Sequence, residues 1–161
     1  MNRFGLIAGM AIAVLLPSAA IADDQHVIAQ PENLNWTAVP PVLPKGAQIA
    51  ALYGDPDKAE PFVFRLKFPA DYKVAAHMHP NDYDVTVLSG TMYLGMGDKF
   101  DAAQGEALNA GGYLHLPKGM HHYEWTNEDT VIQLSGVGPV GMTYLNPAVA
   151  PCWPLQHTVR S

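Results

Sequence analysis

The amino-acid sequence predicts one all-β domain of the sandwich or barrel class. The chain has 161 residues, a length that suits a single domain. Hydrophobic residues make up 48% of it and charged residues only 15%, which is enough apolar material for a packed core and argues against disorder. The 14 glycines and 14 prolines favour many short turns over long helices.

The strands are predicted from the alternation of apolar and polar residues. Between Pro61 and Phe68 every second residue is phenylalanine or leucine, which is the pattern of a half-buried strand. Turn residues separate this segment from further short apolar or β-branched runs, which predict strands at 72–78, 84–88, 91–96, 113–116, 121–126, 130–136 and 140–145. Short strands at this spacing indicate a sandwich or a barrel.

Three further segments are less regular. Residues 33–39 and 47–53 have weaker strand patterns. Residues 100–108 have mild helical character, which Gly105 weakens, and they predict a short helix late in the domain.

The N-terminus predicts export. One arginine, Arg3, precedes a nearly uninterrupted apolar run of 13 residues at 4–16, and Ala20-Ile21-Ala22 fits the small-x-small cleavage rule. A bilayer takes about 20 apolar residues to cross, so this run is too short for an anchor. We therefore expect a secretory signal peptide cleaved after Ala22, a periplasmic or secreted protein, and no membrane attachment after cleavage.

Four parts follow along the chain: a signal peptide at 1–22, an N-terminal extension with short strands at 23–60, the barrel domain at 61–146 and a C-terminal tail at 147–161.

The net charge is -6, and no cluster of lysine and arginine offers the basic surface that nucleic acids require. Nucleic acid is therefore not an expected partner. Cys152 is the sole cysteine, so we expect no internal disulfide.

Three histidines are candidate metal ligands. His77 and His79 are two residues apart in a predicted strand, so their side chains point to the same face. His122 lies 43 residues after His79, and a closed sheet can bring such distant positions together on its inner face. Imidazole is the commonest protein ligand of metal ions, and three such ligands with an open position are a usual form of catalytic site.

Two ordered motifs around these histidines resemble those of the cupin superfamily. The first cupin motif is Gly-x5-His-x-His-x3/4-Glu-x6-Gly, and this chain has Asp71-x5-His77-x-His79-x3-Tyr83-x6-Gly90. The second is Gly-x5-Pro-x-Gly-x2-His-x3-Asn, and this chain has Gly111-x5-Pro117-x-Gly119-x2-His122-x3-Thr126. The resemblance covers residues 62–144. It implies a cupin-type jelly-roll β-barrel, with the short helix between the two motifs and one metal ion held inside by the three histidines.

The chain departs from the cupin pattern at the glutamate ligand, where Tyr83 or Asp84 stands, depending on how the spacing is counted. Strand alternation favours Tyr83 as the inward residue. Three interpretations follow, in this order: a three-histidine site with an open face, a site completed by Asp84, and a site with Tyr83 beside the metal. A site with lost or weak metal affinity is a fourth. Asp71 replaces the first motif glycine, which we interpret as a turn variant.

The resemblance implies one divalent transition metal ion (Fe, Zn, Mn or Cu) and a small-molecule ligand or substrate. Our leading hypothesis is a metal-dependent oxygenase of the dioxygenase type, or an isomerase, in which Tyr83 or Asp84 handles protons or supplies the fourth ligand. The alternative is a non-catalytic exported protein that binds a metal or a small ligand. In a third interpretation the histidines are plain core residues. By analogy with other cupins we expect a homodimer. Six residues are candidates for the apolar lining of the site: Phe64, Met78, Met92, Met96, Met120 and Trp125.

Overall fold

The structure is a computed structural model that describes residues 26–151. The predicted signal peptide, its cleavage site after Ala22, and Cys152 lie outside the described residues. Between residues 26 and 151, none of the helical segments has the length and apolar character needed to cross a membrane.

Antiparallel strands in the described part of the chain form two sheets. The six-stranded sheet contains, in spatial order, β1 (Thr37–Ala38), β2 (Gln48–Tyr53), β3 (Pro61–Phe68), β10 (Thr130–Val137), β5 (Tyr83–Ser89) and β8 (Tyr113–Leu116). The five-stranded sheet contains, in spatial order, β11 (Thr143–Tyr144), β4 (Lys73–Met78), β9 (His122–Thr126), β6 (Thr91–Met96) and β7 (Glu106–Asn109). This architecture confirms the predicted all-β class.

The core lies on the inner faces of the sheets. In β3, burial alternates as the sequence predicts, because successive side chains of a strand point to opposite faces. The buried cluster also takes residues from β4, β5, β6 and β10. A smaller cluster of Ala76, Tyr123 and Trp125 lies apart from it. Residues 123 and 125 alternate with His122, so one face of β9 packs in the smaller cluster and the other carries His122.

The helix expected at 100–108 is wrong over most of its length. Only Ala102–Gln104 is helical, as a single 3-10 turn, and β7 follows it and pairs with β6. Packing explains the difference, because a Cβ on Gly105 would overlap the ring of Trp125. Contact with this ring and strand pairing override the helix propensity of the alanines.

The segment ahead of residue 61 extends the same sheet. β2 pairs with β3 from Gln48 to Tyr53, and β1 pairs in turn with β2. The C-terminal strand prediction at 140–145 reduces to β11, which pairs with the end of β4.

A β-bulge in β4 sets the direction of the site. The pairing of β4 with β9 shifts by one residue between Val74 and His77. Val74 and His77 are both fully buried, although residues three apart in a regular strand point to opposite faces. The bulge therefore allows Val74 to join the main core while His77 faces the same interior.

Asp71 takes the backbone conformation of the glycine that it replaces. Its φ is 60°, the sole positive φ of a non-glycine residue among the described residues. Aspartate tolerates this left-handed region better than most residues. The turn into β4 is thus preserved without glycine, as the sequence interpretation held.

Gly90, in the turn from β5 to β6, provides a test of the fold. Gly90 and Gly119 both have a φ of 72°, but an added Cβ at 90 would lie 2.5 Å from the carbonyl oxygen of Asp129, whereas at 119 it would meet nothing within 4 Å. We expect Gly119→Ala to lower the free energy of unfolding by about 1–2 kcal/mol, the cost of the left-handed backbone. Gly90→Ala should cost about 1–3 kcal/mol more, because the backbone must also move. Urea unfolding measures both, and equal losses would contradict this turn geometry.

Candidate metal centre

The strand pairing brings the three predicted histidines together. His77 in β4 pairs with His122 in β9, and His79 lies directly after the end of β4. One ligand atom from each ring lies within 4.8 Å of the others. His77 is 0% exposed and His122 2% exposed. The arrangement is that of a candidate three-histidine metal site, and ligation itself stays a prediction.

Each ring has its Nδ1 atom against a backbone carbonyl oxygen. The pairs are His77 with Ala75 at 2.8 Å, His79 with Gly141 at 2.7 Å, and His122 with Met120 at 3.0 Å. A carbonyl oxygen can only accept, so Nδ1 carries the hydrogen in all three rings. Each Nε2 is then left with a lone pair, which is the tautomer that metal ligation through Nε2 requires.

Burial keeps the three rings uncharged near neutral pH. It lowers the pKa of His77 to about 4, against the opposing effect of the Ala75 carbonyl. Burial and the neighbouring His77 lower the pKa of His79 to about 3. The pKa of His122 is also lowered by burial, while the charge of Glu124 opposes the shift. Neutral imidazole is the form that binds metal.

Glu124 is a site residue that the sequence analysis missed. Its carboxylate oxygen Oε2 lies 3.7 Å from Nε2 of His77 and 3.9 Å from Nε2 of His122. Neither this oxygen nor Nε2 of His77 has a hydrogen-bond partner among the described residues, and both are shielded from solvent. Burial raises the pKa of Glu124 to about 7. Strand alternation could have identified it, since residues 122 and 124 of one strand share a face.

Tyr83 approaches the site from the opposite sheet. Its side chain is 1% exposed, and its ring centroid lies 4.8 Å from that of His79. The phenol oxygen accepts a hydrogen bond from the Gly141 N–H at 3.2 Å, and burial raises the pKa of the phenol. Gly141 therefore contacts both Tyr83 and His79, through its N–H and its carbonyl. Tyr83 is an uncharged neighbour of the histidines, as strand alternation predicted.

Asp84 needs a correction, because the structure places it on the other face of β5. Its Oδ1 atom accepts a hydrogen bond from the Tyr113 hydroxyl at 2.5 Å and lies 2.8 Å from Nδ1 of His115. These side chains are exposed on the outside of the six-stranded sheet, and their hydrogen bonds lower the pKa of Asp84. Asp84 and Tyr83 are adjacent, so strand alternation directs only one of them inward. Asp84 therefore does not reach His77, His79 or His122.

An apolar cavity adjoins the candidate centre. Its volume is ≈ 1070 Å³, and it opens to solvent. Its walls are largely aliphatic and aromatic, while His79, His122, Glu124 and Tyr83 contribute polar groups to the lining.

The predicted apolar lining is right only in part. Phe64 and Met92 line the cavity. Trp125 belongs to the separate smaller cluster instead, and Met96 is 50% exposed. Met78 and Met120 are not among the lining residues.

The family model described as a domain of unknown function (DUF4437) matches residues 26–147 of the chain. No curated protein matches the chain. Among solved structures, the chain is similar to a candidate acetylacetone dioxygenase from Methylibium petroleiphilum, with a TM-score of 0.60 and 19% identity over 83% of this chain and 90% of that chain. It is also similar to the polyketide cyclase RemF from Streptomyces resistomycificus, with a TM-score of 0.60 and 19% identity over 76% and 89% of the two chains.

A third similar structure is an RmlC-like cupin from Shewanella frigidimarina, with a TM-score of 0.53 and 13% identity over 69% and 89% of the two chains. At such identities the likeness shows the cupin fold and does not fix a function.

The three-histidine assignment is tested by metal content. We expect His77→Ala and His122→Ala to lose stoichiometric metal, because each removes one Nε2 atom from the cluster. His121→Ala is the matched control, since that ring is 41% exposed and bonded to Asp98. Elemental analysis of protein purified without a histidine tag measures the content. At a free metal concentration 100 times the Kd, binding should also add about 2.7 kcal/mol to the free energy of unfolding. Metal retained by both cluster variants would contradict the assignment.

Proposed function

We propose that this chain, which belongs to the DUF4437 family and has the cupin fold, is a metal-dependent oxygenase that acts on a small, largely apolar organic molecule. His77, His79 and His122 would hold one divalent transition metal ion. The observation that carries the proposal is the convergence of three rings whose Nδ1 hydrogens are all given to backbone carbonyls.

The donor set fits a metal ion. Nε2 of His77 is a buried acceptor that finds no donor among the described residues. A buried polar atom without a partner costs about 1–3 kcal/mol, and a cation at this point would remove that cost. Neutral imidazoles suit zinc, copper and iron, so the donor set leaves several metals possible.

The bound ion would supply Lewis-acid or redox chemistry to an oxygen-bearing substrate. The chain itself would bind and orient the molecule. The aliphatic walls of the cavity would take its carbon skeleton and exclude water. The oxygen of Tyr83 already accepts the Gly141 N–H, and its own hydrogen has no acceptor among residues 26–151, so it could donate to a substrate oxygen. Its raised pKa supports a neutral, donating phenol.

The name of one similar structure is the reason for testing an oxygenase reaction first. The first of the similar structures is named as a candidate acetylacetone dioxygenase and the second as a polyketide cyclase. Both names point to small oxygen-bearing carbon compounds, which agrees with an apolar cavity that ends in a few polar groups. We therefore assign diketones and phenols as the first substrate classes to test.

Oxygen uptake tests the proposed activity. The mature protein would be loaded separately with Fe²⁺, Mn²⁺, Zn²⁺ and Cu²⁺, and the rise in Tm would identify the metal that binds. We expect one redox-active form to consume oxygen in the presence of a diketone or a phenol, and His122→Ala to show no uptake. Metal binding without oxygen uptake would favour the alternative of a non-catalytic protein that binds a metal or a small ligand. A chain that takes up no metal would exclude the oxygenase and a metal-binding role, and would leave only the binding of a small ligand.

We also propose that the protein is exported and forms a homodimer. The N-terminal apolar run and the Ala20-Ile21-Ala22 site support export. β8 is an edge strand of the six-stranded sheet in the described part of the chain, and its outer edge would pair with a second copy. In periplasmic protein from a bacterial host, we expect an intact mass that corresponds to cleavage after Ala22. Light scattering should give twice the mass of one mature chain. An uncleaved chain would contradict export, and a monomeric mass would contradict the homodimer.

A further inference from the structure

We propose that Glu124 is a fourth ligand of the metal ion, so that the carboxylate comes from β9 and not from β5. The inference rests on the proposed three-histidine site and adds a residue to it. The cupin motif places its glutamate at the position of Tyr83 or Asp84. In this chain the first is a buried phenol and the second points outward.

The distances allow one ion to contact Glu124 and two of the histidines. Two ligand atoms that each lie about 2.1 Å from one metal ion are at most about 4.2 Å apart. Oε2 of Glu124 lies 3.7 Å from Nε2 of His77 and 3.9 Å from Nε2 of His122, so both separations fall within that limit. Glu124 is not part of the group of three histidines whose ligand atoms all lie within 4.8 Å of one another, so an ion bound by all four residues requires Glu124 and His79 to approach each other.

A hydrogen bond does not explain the arrangement. A separation of 3.7 Å is too long for an O–H···N bond between a protonated Glu124 and His77. Both nitrogens facing the carboxylate are acceptors in this tautomer, because their Nδ1 atoms carry the hydrogens. The carboxylate oxygen therefore faces lone pairs, and a positive ion between them turns an unfavourable contact into a favourable one.

The position of Glu124 in the sheet keeps its carboxylate at the centre. β9 lies between β4 and β6, and Glu124 pairs with Val74 on one side and Leu94 on the other. The backbone is thus fixed by hydrogen bonds on both sides. Among the described residues no lysine or arginine forms an ion pair with Glu124, and the basic side chains within 4.0 Å of its carboxylate are the neutral rings of His77 and His122.

A carboxylate changes the chemistry of the centre. With three neutral imidazoles and one carboxylate, a divalent ion would have a net charge of +1 instead of +2. Carboxylate ligands suit hard ions, so Glu124 should raise the affinity for Mn²⁺ and Fe²⁺ more than for Cu⁺, the soft form of copper.

The test compares Glu124→Gln with Asp84→Asn. Glutamine keeps the shape of the Glu124 side chain and removes its negative charge. Asp84 is the control, because it is the carboxylate at the motif position. Titration calorimetry with Mn²⁺ and Zn²⁺ should show an affinity at least roughly 10-fold lower in Glu124→Gln, by analogy with the losses seen for outer-shell groups. Asp84→Asn should bind within about twofold of the wild type, since the group that it removes lies outside the barrel. Equal affinities in Glu124→Gln and the wild type would overturn the inference alone, whereas a wild type without metal would overturn the proposed site as well.

Metal-free stability separates a ligand from a structural residue. We expect metal-free Glu124→Gln to have a Tm equal to or above that of the metal-free wild type, because the variant removes the charge from a carboxylate whose Oε2 atom is shielded from solvent and has no hydrogen-bond partner among the described residues. With metal, the order should reverse. Glu124→Asp keeps the negative charge on a side chain that is one methylene shorter. Its metal affinity should lie between those of the wild type and Glu124→Gln. A metal-free Glu124→Gln that unfolds at lower temperature, or fails to fold, would show a structural role and overturn the assignment.

Discussion

Three hydrogen bonds from imidazole to the backbone fix the chemistry of this barrel. Each uses Nδ1, so each ring has to present Nε2 in its unprotonated form. Two of the carbonyls belong to the residue two positions before the histidine that they orient, which makes the contact local to β4 and to the start of β9. The third comes from Gly141, 62 residues after His79. The proposed metal site, the reading of Glu124 as a ligand and the neutral state of the rings all depend on these contacts.

The bulge in β4 is the second constraint, because it decides which residues face the proposed metal site. The shift between Val74 and His77 allows both side chains to face the interior. Ala76, between them, joins the smaller cluster with Tyr123 and Trp125. A regular strand would have sent either the core residue or the ligand to the wrong face. One irregular position in the ladder thus reconciles the apolar core with the polar centre.

The sequence predicts most of the fold and three of the four proposed metal ligands. Alternation in β3 and the two motifs around the histidines predict the barrel and bring His77, His79 and His122 together. The helical pattern at 100–108 failed because a propensity is a local quantity, whereas the ring of Trp125 comes from a distant strand. Glu124 was not predicted because the cupin motif has its carboxylate at the position that lies in β5 of this chain. The spacing from His122 to Glu124 was sufficient to indicate it, and only the burial of its oxygen required coordinates.

Gly141 connects the mouth of the cavity to the centre. Its carbonyl orients His79, its N–H contacts the phenol of Tyr83, and it lines the cavity together with Val140 and Met142. A bound molecule that displaces this segment also displaces the partner of one imidazole. Two of the three proposed histidine ligands are thus held by strand pairing and one by a loop in contact with the cavity. Cavity occupancy and metal affinity are then linked quantities, and thermodynamic reciprocity requires that the ion influence which molecules fit as much as those molecules influence the ion.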